Sequence, residues 1–487
     1  MFNFLMSKAA KFANTVVIGK NMINDEQFIV EEIKQFMISP KRKMMLDGER
    51  YYAGQHDILD RKRTMIGQEG QLQEVYNLPN NRIVDNQYKK MVDQKNNYLL
   101  SKPITFKSEN DQYNDLLHQV FNKRFQRTLK NIGEDALNCG IGWMFVHYNE
   151  YGDITFKRLK PFEVIPGWKD AEHTELDYAI RIYDVIVYEG KEKKVVQKVE
   201  VYDDKGISFF ELKDGKLKPD EPYFQNYFTM TTDDGETGFN WTKIPLIPWK
   251  YNSKEIALIK MVKSLQDGIN LIESNFLNAM EEDPRNTILV IVNYDGENLG
   301  EFRQNLATYG AVKVSTMDGG QGDVKTLQVE VNSENYKAIL EIFKKAIIEN
   351  AMGYDAKDDR LAGNPNQMNI QSMYSDIDLD ADNMETEYQA AFEELLWFIN
   401  CHFANMHMGD FEDEQVDVIF NRDMMISESE VIANCQQSVG VLSDETIVAN
   451  HPWVDDPVAE LERLKKQKES EMDEYNNAFQ KSVTNQE

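Results

Sequence analysis

Leu258–Phe276 reads LIKMVKSLQDGINLIESNF. Its apolar residues Leu258, Val262, Leu265, Ile269, Ile272 and Phe276 alternate steps of four and three, which is one stripe of an α-helix. The pattern predicts a helix of roughly 28 residues, about 40 Å long at 1.5 Å per residue. A second stripe, Tyr336, Ile339, Leu340, Phe343 and Ile347, follows Ser333, a suitable N-cap. A third begins near Ile370 and carries Met384, Tyr388, Ala391, Leu395, Phe398 and Ile399, with no proline before Pro452. It predicts a helix of roughly 35 residues, about three times the average length. Such a helix points to a spanning or assembly role rather than to a small compact domain.

Working outward, the insert between the first two helices reads as small α/β structure. Strands are expected over Thr287–Asn293, Ala311–Ser315 and Thr326–Val331, with a helix near Glu301–Tyr309. The flanking helices bring the insert's ends together, so it forms a knob at the tip of a helical hairpin. Before the first helix, KIPLIPWKY (Lys243–Tyr251) is an extended connector, because Pro245 and Pro248 forbid helix there. Between the second and third helices lies GYDAKDDRLAGNPNQMN, Gly353–Asn369. It has mixed charge and almost nothing to bury. Long structureless loops are usually functional or disordered, and the rival reading is a plain surface connector.

The N-terminal half predicts helices over Glu26–Phe36, Lys41–Tyr52, Arg82–Leu100 and Asn114–Asn138. Strands follow at Trp143–Tyr148, Ile154–Leu159, Val164–Pro166, Tyr178–Ile186, Lys194–Tyr202 and Ile207–Leu212, an antiparallel sheet. Ile104–Phe106 begins a further strand, and Asp220–Thr242 reads as irregular. Beyond the long helix come a strand at Val416–Phe420, helices at Glu428–Gly440 and Asp444–Asn450, and a charged peripheral helix at Glu460–Phe479. The fold class is α+β.

The 487 residues allow two to four domains, and 41% hydrophobic residues describe a folded chain. The net charge of −28 argues against tight binding of nucleic acid over the whole surface, since phosphate contacts need cations. It permits a chain that encloses DNA without gripping it. Cys139, Cys401 and Cys435 are too few and too far apart for a disulfide framework. Cys401 with His402, and Cys139 with His147, lack zinc-site spacing. No apolar run reaches the roughly 18 residues a membrane span requires. The opening MFNFLMSKAAKFANTVVIGK sets Phe2, Leu5, Ala9, Phe12 and Val16 against Lys8 and Lys11. It reads as an arm that docks on a neighbour or is partly disordered, with a membrane-surface helix as the rival.

Catalytic signatures are missing. The sequence has no GxxxxGK[ST], HExxH or GxSxG. Gly319–Asp323, GGQGD, lacks the following helix that a phosphate site needs and reads as a turn. Asp376, Asp378, Asp380, Asp382 and Glu387 mimic calcium-loop spacing, but Ala381 stands where the loop needs glycine. On a helix, alternate residues point about 200° apart, so these carboxylates diverge. The alternative function is nonetheless a metal-dependent nucleic-acid enzyme built on Asp376–Asp382.

Five stretches carry a resemblance. They are NNRIVDNQYKKMVDQKNNYLLSKPITF (Asn80–Phe106), GEDALNCGIGWMFVHYNEYGDITFKRLKPFEVIPGW (Gly133–Trp168), KIPLIPWKYN running into the first long helix, LAGNPNQMNIQSMYSDIDLDADNMETEYQAAFEELLWFI (Leu361–Ile399) and IVANHPWVDDPVAELERL (Ile447–Leu464). In this order they resemble the portal proteins of tailed bacteriophages, particularly long-tailed phages of Gram-positive hosts. The resemblance implies a ring of about twelve copies at one capsid vertex, the channel for packaging and ejection of double-stranded DNA. It implies an N-terminal arm (1–25), a wing (26–250), stem helices (251–283 and 333–352), a clip (284–332), a tunnel loop (353–369), a long helix returning to the wing (370–425) and a crown (426–487). Lys357, Asp358, Asp359, Arg360, Asn364 and Asn366 would face DNA. Leu258, Val262, Leu265, Ile269, Ile272, Phe343 and Ile347 would pack the stem. The implied partners are the terminase large subunit, a head–tail adaptor, scaffold and major capsid protein. No cofactor, no catalysis and no membrane partner are expected. The implied location is the virion, after assembly in the host cytoplasm.

Overall fold

The computed structural model describes residues 26–66, 70–76, 78–232, 235–282, 288–292, 298, 323–327, 333–355, 367–422, 428–454, 460–461 and 463–467. The chain divides into two units: residues 1–351 with 382–421, and residues 352–381 with 422–487.

The first unit starts with α1 (Glu26–Met37) and α2 (Pro40–Tyr52). Ser39 caps α2 by accepting from the Arg42 N–H, and Pro40 sits where a helix has no N–H bond to lose. A small hairpin, β1 (Thr64–Ile66) and β2 (Leu72–Glu74), leads to α3 (Gln87–Leu100). The helix expected from Arg82 therefore begins at Gln87. Its first residues are extended because other groups claim their N–H bonds, as shown below. After β3 (Thr105–Lys107) come α4 (Asp111–Val120) and α5 (Lys123–Cys139). The single helix expected over Asn114–Asn138 is thus two. Asn122 breaks it, and its side chain accepts from the N–H groups of Arg124 and Phe125 as the cap of α5. Gly140 ends α5 at a φ of 86°, where a Cβ would lie 2.1 Å from the Glu255 carbonyl oxygen.

Strands then dominate: β4 (Ile141–Tyr148), β5 (Ile154–Leu159), β6 (Val164–Trp168), β7 (Leu176–Glu189), β8 (Glu192–Asp203), β9 (Gly206–Lys213), β10 (Lys216–Gln225), β11 (Phe228–Thr232), β12 (Gly235–Phe239) and β13 (Leu246–Lys250). They form two sheets and a hairpin rather than one sheet. The larger sheet has the order β10-β9-β8-β7-β6, and the smaller β13-β4-β5. Asp220–Thr242, expected to be irregular, holds the end of β10 and the β11–β12 hairpin. The proline-bearing connector contains β13, which pairs with β4 and places Pro248 opposite Trp143. An edge strand tolerates proline because its outer N–H has no ladder partner.

The remaining elements are α6 (Ile259–Glu282), β14 (Ile288–Val292), β15 (Asp323–Leu327), α7 (Ser333–Asn350), α8 (Gln367–Asn405) and β16 (Asp417–Ile419). The C-terminal residues of α8 fill the core of the first unit. Phe392 meets the rings of Phe106, Phe121, Phe125, Trp249 and Phe420. β16 pairs with β3, so the chain returns to its own N-terminal half after α8. In the second unit Tyr374 meets Tyr354 with tilted rings, Asp378 pairs with Arg422 at 3.0 Å, and α9 (Glu428–Gln437) and α10 (Asp444–Ala449) follow.

Candidate functional site

The two helices read first from the sequence, α6 and α7, pack as an antiparallel hairpin. Gly268 faces Phe343, and eight residues further along α6, Phe276 meets Tyr336 at 5.0 Å between ring centroids. A Cβ on Gly268 would fall 2.6 Å from Phe343 Cε1, so the close approach needs glycine. Of the expected stripe, Leu258, Val262, Ile269 and Ile347 are buried, while Leu265, Ile272 and Phe343 are half-buried. Leu258 lies just ahead of α6, and its N–H donates to the Leu137 carbonyl. Between the two helices in sequence, β14 and β15 pair antiparallel, Ile288 opposite Leu327 through Val292 opposite Asp323.

The other face of α6 buries a polar row that stripe counting misses. Gln266, Asn270, Ser274 and Asn278 are all buried and recur every four residues. They hold the extended stretch 79–86, a strap laid antiparallel along the helix. Asn278 Oδ1 accepts from the backbone N–H and side-chain Nδ2 of Asn81 (2.8 and 3.0 Å). Ser274 Oγ accepts from the Ile83 N–H (2.9 Å), and Asn270 Oδ1 from the Asp85 N–H (3.1 Å). Gln266 Oε1 accepts from the Tyr88 N–H (2.9 Å), while its Nε2 donates to the Asp85 carbonyl (2.7 Å). The periods match: two strap residues advance about 6.6 Å and four helical residues about 6 Å. The signal was present as Gln, Asn, Ser and Asn at a four-residue spacing, on a face that apolar periodicity assigns to solvent.

Charged groups brace the same seam. Lys344 of α7 reaches Asp85 of the strap at 2.7 Å and Glu273 of α6 at 3.4 Å. Burial works to raise the Asp85 carboxyl, but the Lys344 hydrogen bond outweighs it and holds the pKa below its ordinary value. Burial pushes the His56 pKa down, so the ring stays neutral where its Nδ1 meets Asn270 Nδ2 at 2.8 Å. At the foot of α6, Glu255 is buried, pairs with Lys41 and lies 2.6 Å from His173 Nδ1. Burial opposes ionisation of Glu255; the Lys41 charge prevails and lowers its pKa.

The expected DNA-facing residues Lys357, Asp358, Asp359, Arg360, Asn364 and Asn366 lie outside the described residues, as do Gly319–Gln321 and most of 284–332. Asp376–Asp382 lies within continuous α8, where alternate carboxylates diverge. Among the described residues no group of His, Cys, Asp and Glu could hold a metal ion. Cys139 is buried with its thiol toward the Met45 carbonyl, and His402 Nδ1 meets the Tyr148 hydroxyl at 3.2 Å. These contacts describe Cys139 and His402 as packing groups.

One cleft of about 1440 Å³ opens between α8 and the β6–β7 loop, lined by Lys169, Glu175, Lys243, Lys250, Glu387 and Glu394 among others. Among the described residues Glu394 has no hydrogen-bond or ion-pair partner there. Burial pushes its carboxyl up to about 7, with Lys243 only partly offsetting it. Charges of both signs line the cleft, and no nucleophile–base pair stands in it.

A helical hairpin carrying a strand pair, braced to the N-terminal helices through a polar strap, suits a structural subunit. The family described as "Phage portal protein, SPP1 Gp6-like" matches residues 40–474, and the chain belongs to it. It is 30% identical over 434 residues to the portal protein of Bacillus phage SPP1, covering 88% of this chain and 84% of that one. It is 28% identical over 459 residues to the portal protein of Clostridium phage phiCD119, covering 90% and 96%. The metal-enzyme alternative finds no support in these relatives.

Proposed function

We propose that the chain assembles as a ring of about twelve copies at one capsid vertex and forms the channel through which double-stranded DNA is packaged and ejected. The observation that carries this is the match over residues 40–474, which includes the α6–α7 hairpin and its paired strands. In this reading α6 and α7 are the stem, and 284–332 is the clip on which the terminase large subunit and then the head–tail adaptor dock. Residues 426–487 form the crown, and scaffold and major capsid protein meet the ring from outside. The net charge of −28 suits a conduit, because repulsion keeps sliding DNA from adhering. In the loop 353–369, Lys357 and Arg360 touch phosphate, Asp358 and Asp359 limit the attraction, and Asn364 and Asn366 face the duplex. The subunit performs no catalysis, and a separate terminase ATPase supplies the energy.

The test is the mass of the purified chain by native mass spectrometry, followed by imaging. A closed ring of about a dozen copies with an axial hole supports the reading. A compact dimer that binds divalent metal would overturn it. Within rings, Lys357→Ala with Arg360→Ala is expected to change packaging or DNA retention. Unchanged packaging and retention would remove the loop assignment and leave the ring.

A further inference from the structure

The sheet face that packs on α1 continues beyond its cover. Ile180 opposite Val201 and Ile182 opposite Val199 are buried with Ile29, Ile33, Phe210 and Leu217. The next row on the same face is Asp184 opposite Gln197, joined at 3.2 Å. Beyond it, Ile186 stands opposite Val195 and Tyr188 opposite Lys193. Because strand side chains alternate faces, all of these point the same way as the core. At those rows β7 and β8 have outrun their neighbours. β6 pairs with β7 only as far as Arg181, and β9 with β8 only as far as Gln197. Ile186, Val195 and Tyr188 are consequently 51%, 58% and 69% exposed.

Adjacent apolar side chains on a bare two-stranded arm form a patch rather than scattered surface residues, and such an arm is marginal by itself. The chain leading into α1 has the complementary character. Residues 1–25 run directly into Glu26, the first residue of the helix that covers this face. Phe2, Leu5, Ala9, Phe12 and Val16 share one helical stripe, with Lys8 and Lys11 off it. As a helix, residues 2–16 measure about 22 Å, against about 17 Å for the uncovered arm from residue 184 to 189. Residues 17–25 supply a tether with a reach of about 30 Å.

We propose that residues 2–16 lay this apolar stripe on Ile186, Tyr188 and Val195 of the same chain, extending the cover that α1 begins. The arm is then two layers, helix on strands. The proposal is independent of the channel reading.

The test uses the full-length chain with Tyr188→p-benzoylphenylalanine, irradiated as a mixture of isotope-labelled and unlabelled copies. Adducts to peptides within residues 1–25, formed inside one isotopic species, are the expected result. Adducts elsewhere, or only between labelled and unlabelled copies, would overturn it; the second would assign the patch to a neighbouring subunit. A companion variant, Leu5→Asp with Phe12→Asp, should raise amide exchange over 184–188 and 193–197 by tenfold or more, with Ile180 and Val201 unchanged. Equal exchange in parent and variant would refute the contact. So would protection of the arm that appears only on adding phosphatidylglycerol vesicles, which would make the segment a membrane-surface helix.

Discussion

Two long helices draw polar side chains out of water, and they do so in opposite ways. On α6, Asn270, Ser274 and Asn278 each hold a backbone N–H of the strap, and Gln266 holds its Asp85 carbonyl. On α8, Glu394 is half-buried at the cleft, with lysines in range of its field but no direct partner among the described residues. A buried amide matched to a backbone group is neutral at every pH, and its geometry specifies one axial position. A buried carboxylate without a partner specifies nothing and costs free energy whenever it is ionised. The α6–α7 seam offers a third case. Phe343 over Gly268 is apolar contact, which favours association but tolerates sliding. In α6 the apolar side therefore supplies attraction and the polar side supplies register.

The sharpest way to break this contrast is Asn270→Leu. Leucine is close in volume, yet it strands the Asp85 N–H, the His56 Nδ1 and one amide proton of Gln266 in a buried place, while Gln266 keeps its bond to the Asp85 carbonyl. With about 1–3 kcal/mol for each orphaned group, the expected loss is about 4 kcal/mol. Ile347→Ala on the apolar seam should cost a similar about 2–5 kcal/mol. The two differ in a second readout. Only Asn270→Leu should release the Asp85 amide to exchange while α7 stays protected. Equal exchange patterns in the two variants would erase the distinction between register and attraction.

This contrast also marks what was legible in the sequence. The helices α6, α7 and α8 were readable because apolar residues at steps of three and four can be counted without knowing the partner. The α+β class followed from the same count applied to β4 through β9. The strap was not readable, since the extended state of 79–86 depends on side chains nearly two hundred residues later. Local propensity alone carries the helix back to Arg82. The break at Asn122 was readable in principle, because asparagine before a helical run is a cap signal. The apolar pattern continues on both sides of it and masks the break. The pairing of β3 with β16 joins strands too short and too distant for any local rule. The loop residues Lys357 and Arg360 rest on composition and family position, and composition carries no geometry.

Glu394→Gln sharpens the comparison from the other side. Its folded pKa of about 7 is above the ordinary 4.5, so between those values the folded chain holds a proton that the unfolded chain releases. Stability then falls as pH rises through that window, since the unfolded state binds fewer protons. Glutamine removes the burden of ionisation. The variant should be more stable than the parent at pH 8 by about 2 kcal/mol, after discounting for partial exposure. At pH 5 the gain should shrink to a few tenths of a kcal/mol. Ser274→Ala should show no such slope, because its rung joins two groups that carry no charge at either pH. Thermal melts of both variants at the two pH values measure this, and a pH-independent gain for Glu394→Gln would mean its carboxyl is not perturbed by burial.

The smallest expected effect is the most local. Ser274 Oγ accepts from the Ile83 N–H and donates to the Asn270 carbonyl one turn earlier in its own helix. Ser274→Ala orphans one N–H, at about 1–2 kcal/mol, but alanine returns about 0.5 kcal/mol of helix propensity. The hydroxyl's bond back to its own helix contributes little, since that carbonyl keeps its regular i+4 donor. A net loss of about 1 kcal/mol is expected, with faster exchange at Ile83 and not at Asp85. If register is set by the ladder as a whole, the neighbouring rungs hold the strap when one is cut. Loss of protection at Asp85 as well would show that the strap opens as a unit, so that each rung holds only while the others do.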